Sequence, residues 1–588
     1  MKIAADRSWF HLGQAGLTFL LVGIGFWVSE KSASAQSDPL VFDLRDAGPG
    51  GDSWVPAIQD QSNLGDCWSF ATTTALDSDL IMNGYLPTST TPPAMSISSW
   101  HLSAYNGAPE NTISGGGAYN GIVGGDVWMT TSYYTRGQGS WPIPGASTGP
   151  SDISQMGGGI ILNSNNPNNP FPLAAVQNDD NLASKLPPVS QAPGFTLTGA
   201  YYFDQYDQSG TAVRTVAQQE AAVKGALQQF GALATYMYAG GYTLNGHDDS
   251  VFHFSNTDGL GYTYEYDPSN NAAEHVVTII GWDDNIVIPE PTLANPTATE
   301  TGAWIVQNSW GAWGGTTTVN DGTFYAPYND PFIGVQGVTA FTAVPAGKYS
   351  PYVLQNELGP TYEGGNWGSD THPNTVGNVP TGFGILPTSR VDIPSLITLT
   401  GSSSIAVSNL TITSPQTLLA LGLESVDAQV GASKPVMVSL YGGFNASGSL
   451  TSAFGTLLQT DTFTFPQEGY TVFDLSTPLL LTSGEILTVE VDYEGSELPY
   501  VWQSSAQGNG ITDAPTGLSY FYDATTDEWQ DFADFTGVDW YNDKYAGVFS
   551  VKGLVAVPEP TMSGALMALM GILFFVGRRL QQNKQRCG

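Results

Sequence analysis

Gln61-Ser62-Asn63-Leu64-Gly65-Asp66-Cys67-Trp68-Ser69-Phe70-Ala71 sets one of the chain's two cysteines at the head of a run that can wind into a helix as far as Gly84. The first turn of a helix carries roughly half a positive charge, which favours a thiolate over a thiol. A thiolate is the nucleophile for acyl transfer. It needs a base nearby to take the thiol proton and later return it to a leaving amine. The chain has six histidines, so candidates are few. His275 opens the apolar run Glu274-His275-Val276-Val277-Thr278-Ile279-Ile280-Gly281-Trp282-Asp283. Downstream, Ala303-Trp304-Ile305-Val306-Gln307-Asn308-Ser309-Trp310-Gly311 ends a second apolar run on an asparagine. Two buried strands would thus each present one polar side chain at a tip.

The composition restricts the other possibilities. Lys plus Arg number 17 and Asp plus Glu 53, for a net charge of −36. That excludes a general nucleic-acid binder, which needs a basic surface to displace counterions. Only 12% of residues are charged, 41% are hydrophobic and glycine reaches 69, which suits a β-rich, loop-rich exported chain. With only Cys67 and Cys587, neither a disulfide scaffold nor a cysteine-based zinc site can be built.

In order and in local pattern, the three blocks resemble the papain-like cysteine peptidase family. The match consists of Gln61 ahead of Cys67-Trp68-x-Phe70, His275 before a β-run ending in Gly281, and Asn308-Ser309-Trp310-Gly311. Val41-Phe42-Asp43-Leu44-Arg45-Asp46 also looks like the family's mature start. The resemblance covers roughly residues 40–340 and implies an α+β, two-lobed peptidase domain with a helical lobe and a β-rich lobe. It implies Cys67 as nucleophile, His275 as acid/base and Asn308 as the group orienting the imidazole. It also implies Gln61, with the Cys67 backbone N–H, as the oxyanion hole. Gly124 and Gly125 would pair with substrate backbone, and Trp310 would shield the His–Asn hydrogen bond. The implied reaction is hydrolysis of protein or peptide substrates through a thioester acyl-enzyme, with no cofactor and no metal.

The chain departs from that family in two places. Leu64 stands where the local signature has its first cysteine, and Asp66 where it has Ser or Ala. Asp66 is a carboxylate next to the nucleophile that could raise the thiol pKa and slow the enzyme, or cap the helix; capping is the favoured expectation. The long Cys67-to-His275 interval fits an insertion over 105–210, a stretch rich in Gly, Asn, Pro and Ser that reads as surface loop. Two rival readings remain: an inactive surface adhesin on a peptidase fold, and a Cys–His acyltransferase of transglutaminase type. The latter prefers Asp to Asn as third member.

Four segments follow from the organisation. Residues 1–35 read as a signal peptide: Lys2 and Arg7, an apolar run from Ala15 to Val28, then Ala33-Ser34-Ala35. The peptidase domain is expected over 36–344, with one helix from the Thr215-x-x-Gln218 capping box to Gly231. After Val344-Pro345-Ala346-Gly347 the chain turns strand-like, and an antiparallel β-sandwich is expected over 345–553. It resembles the lectin-like domain that follows papain-like peptidases in some bacterial surface proteins. Tyr362-Glu363-Gly364-Gly365-Asn366-Trp367-Gly368, Ser519-Tyr520-Phe521-Tyr522 and Trp529-Gln530-Asp531 carry that likeness. Its aromatic faces can stack on an exopolysaccharide and its Asp/Asn loops can hold Ca²⁺.

Residues 557–588 resemble a PEP-CTERM sorting signal. Pro558-Glu559-Pro560 precedes an apolar stretch from Met562 to Val576, a transmembrane helix, then Arg578-Arg579. The resemblance implies processing by an exosortase-type enzyme. It also implies delivery to the surface or matrix of a Gram-negative bacterium, with the membrane touched only through this segment. Setting both ends aside removes seven basic and three acidic residues and leaves the remainder near −40.

Overall fold

The structure is a computed structural model. It describes residues 39–59, 61, 66–88, 97–99, 102–103, 127–135, 194–206, 212–239, 252–254, 261–263, 273, 275–289, 299–310, 322–350, 353–354, 405–411, 415–425, 435–449, 452–492, 500–504, 517, 519–523, 528–531, 545–549 and 551–557.

The helix Cys67–Met82 lies at the centre, and every residue from Cys67 to Ile81 is buried. Its polar residues are accommodated by bonding to the helix itself and to its neighbours. Thr72 Oγ1 donates to the Trp68 carbonyl at 2.7 Å and Thr73 Oγ1 to the Ser69 carbonyl at 2.7 Å. Ser103 Oγ donates to Ser69 Oγ at 2.9 Å, and the Thr72 and Thr130 hydroxyls pair at 2.8 Å, the latter from the helix Val127–Thr135. Buried hydroxyls satisfied in this way cost little. Gly84, at φ 74, follows the helix end, where that backbone conformation favours glycine.

A large mixed sheet packs on this helix. Its middle runs from the strand Phe195–Tyr202 through Thr339–Pro345, Leu233–Met237 and His275–Pro289 to Thr299–Gln307 and Thr323–Pro327. The helix Val216–Phe230 packs on the same sheet. Its start is the capping box read from the sequence: Gln218 N–H donates to Thr215 Oγ1, and Thr215 N–H to Gln218 Oε1. Gly231, at φ 85, ends it. Both helices begin and stop within a residue of the sequence expectation.

Strands from both sides of position 345 share this sheet. Gly469–Leu481 pairs antiparallel with Phe195–Tyr202, through Gly469↔Tyr201 and Thr471↔Gly199. Gln416–Ser425 and Val551–Val555 extend it further. A smaller, wholly antiparallel sheet holds Ile405–Thr411, Pro435–Phe444, Phe454–Thr464, Ile486–Asp492, Ser519–Asp523 and Glu528–Asp531. Phe463 of the smaller sheet stacks on Phe473 of the larger at 4.7 Å, and Phe465 meets that ring edge-on at 5.0 Å. The architecture is therefore α+β, a mixed sheet with its helices and an antiparallel β-layer.

The structure corrects two expectations. The loop-like reading of 105–210 is too broad. Val127–Thr135 is helical, and Phe195–Tyr202 is a central strand with Ala200 and Tyr202 buried. Its alternating Phe-Thr-Leu-Thr run is short and is masked by the Gly- and Pro-rich sequence before it. The transmembrane helix is also corrected: among the described residues no helix is long and apolar enough to cross a membrane. The stretch on which that expectation fell, Met562 to Val576, lies outside the described residues, as do the signal-peptide segment, Gly124, Gly125 and Tyr362 to Gly368.

Candidate active site

His275 opens its strand beside Met237 and is 5% exposed. Asn308 lies just past the end of the neighbouring strand Thr299–Gln307 and is 2% exposed. Antiparallel pairing of these two strands, with Thr278 opposite Gln307, brings both polar residues to one edge. There the His275 ring nitrogen Nε2 lies 2.8 Å from Asn308 Oδ1. That amide oxygen can only accept, so Nε2 carries the proton and Nδ1 is left as the basic nitrogen. The Ser309 backbone N–H also donates to Asn308 Oδ1, at 2.7 Å, which fixes the carboxamide with its oxygen toward both donors.

Trp310 covers this pair. Its ring stacks on the imidazole with centroids 4.7 Å apart and planes 24° apart, while its outer face is exposed. Burial pushes the pKa of His275 down to about 4, against the Asn308 hydrogen bond, which acts upward. A lone imidazolium is therefore disfavoured near neutral pH, and a negative partner beside the ring would favour charging it.

Cys67 is the first residue of the central helix, is 8% exposed and is not in a disulfide. It belongs to the same apolar cluster as Val276, the residue after His275. Thr278 Oγ1 donates to the Ala71 carbonyl at 3.3 Å, tying the helix one turn beyond Cys67 to the histidine strand three residues beyond His275. A small cavity lined by Phe70, Thr74, Val277, Gln307, Asn308 and Ser309 lies at this helix–strand junction.

Gln61 is buried against the asparagine segment. Its backbone N–H donates to the Ser309 carbonyl at 2.7 Å, and the Ser309 hydroxyl donates to Gln61 Oε1. Ser309 thus holds both Asn308 and Gln61, a role the sequence reading missed although Ser309 stands inside the Asn308–Gly311 block. Asp66 also differs from expectation. It is the N-cap residue and fully buried, but its side chain makes no cap hydrogen bond. The cap is supplied by its backbone carbonyl, which accepts from the Ser69 N–H at 3.0 Å and the Ser69 hydroxyl at 2.9 Å.

Comparison with known proteins yields structures but no sequence relatives. No protein-family profile matches the chain, and no curated protein matches it. The clostridial cysteine protease Cwp84 after propeptide cleavage aligns over 86% of this chain and 97% of its own, at 17% identity and a TM-score of 0.53. A second structure comprises the cysteine protease and lectin-like domains of Cwp84, a surface layer associated protein of Clostridium difficile. It aligns over 89% of this chain and 90% of its own, at 17% identity and a TM-score of 0.54. At that identity the likeness concerns the fold: a papain-like unit with an accessory, lectin-like β-domain.

Proposed function

We propose that this chain is an exported cysteine endopeptidase. The observation that carries the reading is the His275–Asn308 hydrogen bond beneath Trp310, on a fold like that of the Cwp84 protease. With Nε2–H held by Asn308, Nδ1 is the atom that takes the proton of the Cys67 thiol. Burial opposes a lone imidazolium, so His275 takes the thiol proton as the thiolate forms beside it. The thiolate attacks the substrate carbonyl, His275 protonates the leaving amine, and water then hydrolyses the thioester.

Gln61, held through its Oε1 by Ser309, has Nε2 as the donor for the oxyanion, alongside the Cys67 backbone N–H. One such donor is typically worth about 2.7–4 kcal/mol in the transition state. Export is supported by the charged, apolar and small-residue order of the first 35 residues and by the surface-layer association of Cwp84.

The test is cleavage of an unfolded protein under reducing conditions by the exported chain and by its Cys67→Ala form. Cleavage by the first alone is expected. Equal inertness of both would sink the peptidase reading, and amine transfer without cleavage would replace it with the acyltransferase.

A further inference from the structure

Lys224 lies on the helix Val216–Phe230 with its side chain only 6% exposed. Its Nζ is 2.7 Å from Glu220 Oε1 on the same helix and 2.6 Å from Asp284 Oδ1 on the histidine strand. The Tyr328 hydroxyl donates to that same Asp284 oxygen. The Trp282 and Tyr328 rings wall the amine, with centroids 5.5 and 4.8 Å from Nζ. Asp284 sits where the pairing of its strand with Thr299–Gln307 breaks register, between Asp283 and Val287. None of these residues takes part in the chemistry proposed for Cys67.

An ion pair needs one carboxylate for one ammonium, and here there are two, in unequal settings. Glu220 receives only the lysine, whereas Asp284 is also polarised by a phenol. Burial, then the adjacent Asp284, raises the Tyr328 pKa well above the ordinary phenol value, so its hydroxyl stays protonated and remains a donor. Both carboxylates keep an open side, at 31% and 26% exposure, through which water can leave.

We propose that Lys224 and Asp284 are the site of a self-formed amide cross-link between helix and sheet, with Glu220 as the proton carrier. Glu220 takes a proton from the Lys224 ammonium. The neutral amine attacks Cγ of Asp284, whose Oδ1 is held by the Tyr328 hydroxyl. A C–N bond forms and one C–O bond breaks. Glu220 passes two protons in turn to the departing oxygen, the first taken from the ammonium and the second released by the nitrogen after its attack, so that the oxygen leaves as water and Glu220 ends as the carboxylate it began. The ammonium and one carboxylate become a neutral amide and one water, with no oxidant or co-reactant. The low-polarity wall favours this direction, because it removes two charges from a poorly solvated place.

The test is peptide mapping by mass spectrometry on the full chain carrying Cys67→Ala, which prevents self-digestion and leaves this cluster intact. A branched peptide joining the Lys224 segment to the Asp284 segment, one water lighter than its two linear parts, is expected. It should be absent in Lys224→Ala and in Asp284→Ala. It should also be absent in Glu220→Gln, with thermal unfolding confirming that this last variant is folded. Linear peptides covering both residues in the parent chain, even after prolonged incubation, would overturn the proposal. A water loss confined to the helix peptide would place the bond at Glu220 and overturn the assignment to Asp284. A branch formed equally well in Glu220→Gln would remove Glu220 from the reaction.

Discussion

Two of the helices that pack on the large sheet are built on opposite plans. Val216–Phe230 is a surface helix: Gln219, Val223, Ala226, Leu227 and Phe230 turn inward, while Ala221, Gly225, Gln228 and Gln229 are exposed. Cys67–Met82 has no outer face, and its Ser, Thr and Asp residues are as buried as its Leu and Phe. The first needs only its stripe and its caps to form. The second is helical because its surroundings complete its core and pair the hydroxyls of Ser69, Thr72 and Thr73. That enclosure fixes the end carrying Cys67, as the chemistry proposed for it would need.

This contrast predicts very different responses to truncation. Leu76, 1% exposed, sits in the cluster that also holds Trp68, Ala75 and Phe341. Leu76→Ala should cost about 2–5 kcal/mol, read from denaturant midpoints in the Cys67→Ala background. Gln229→Ala on the outer face of the other helix should stay within about 0.5 kcal/mol. Comparable losses at both positions would erase the distinction.

The buried carboxyl of Asp79 sharpens it in another way. Its Oδ2 accepts the Ala343 N–H at 3.0 Å and its Oδ1 the Asn83 amide at 2.8 Å. Burial outweighs these bonds and raises its pKa from 3.8 to about 7. Between those values the folded chain keeps a proton that the unfolded chain has released. Its contribution to stability is therefore complete below the ordinary carboxyl pKa and is lost as pH rises toward 7. Asp204 and Asp330, each raised by burial to about 6, act in the same direction. His275 acts in the opposite one, since its lowered pKa removes stability as pH falls from 6.5 toward 4. Asp79→Asn should flatten the fall in stability with rising pH by at most about 1.4 kcal/mol per pH unit. Urea midpoints at several pH values would show it, and an unchanged slope would mean that Asp79 does not titrate in this window.

The same contrast explains what could be read from the sequence. Thr215, Gln218 and Gly231 announce the surface helix because caps and stripe are local signals. The central helix shows no amphipathic period, and only the motif at Gln61–Ala71 and the stop at Gly84 disclosed it. His275 and Asn308 were legible as tips of apolar strands, but their approach depends on pairing across 33 residues. Gln416–Ser425 carries no local strand signal, because Thr-Leu-Leu-Ala-Leu-Gly-Leu has neither alternation nor β-branched bulk. It is a strand because Gly469–Leu481 and Val551–Val555 flank it on both sides. The Lys224–Asp284 contact spans 60 residues and two element types, and nothing local foretells it.

The smallest expected effect tests the surface helix at its weakest point. Gly225 lies in the middle of Val216–Phe230, exposed, and a Cβ built there meets nothing within 4 Å. Its φ does not lie in the left-handed region, so no strain opposes a side chain. Glycine here only widens the unfolded ensemble, and Gly225→Ala should stabilise the chain by roughly 0.5–1 kcal/mol. Thermal unfolding would read this as a small rise in midpoint. A fall would show that the outer face of this helix is covered by something, and would bring its environment closer to that of the buried helix. The central helix offers no matching gain. Ala75, at 0% exposure, is already enclosed, and a larger residue there would have to displace its neighbours at about 1–3 kcal/mol. One methyl group would therefore have opposite signs on the two helices, for the same reason that one of them has a free face and the other has none.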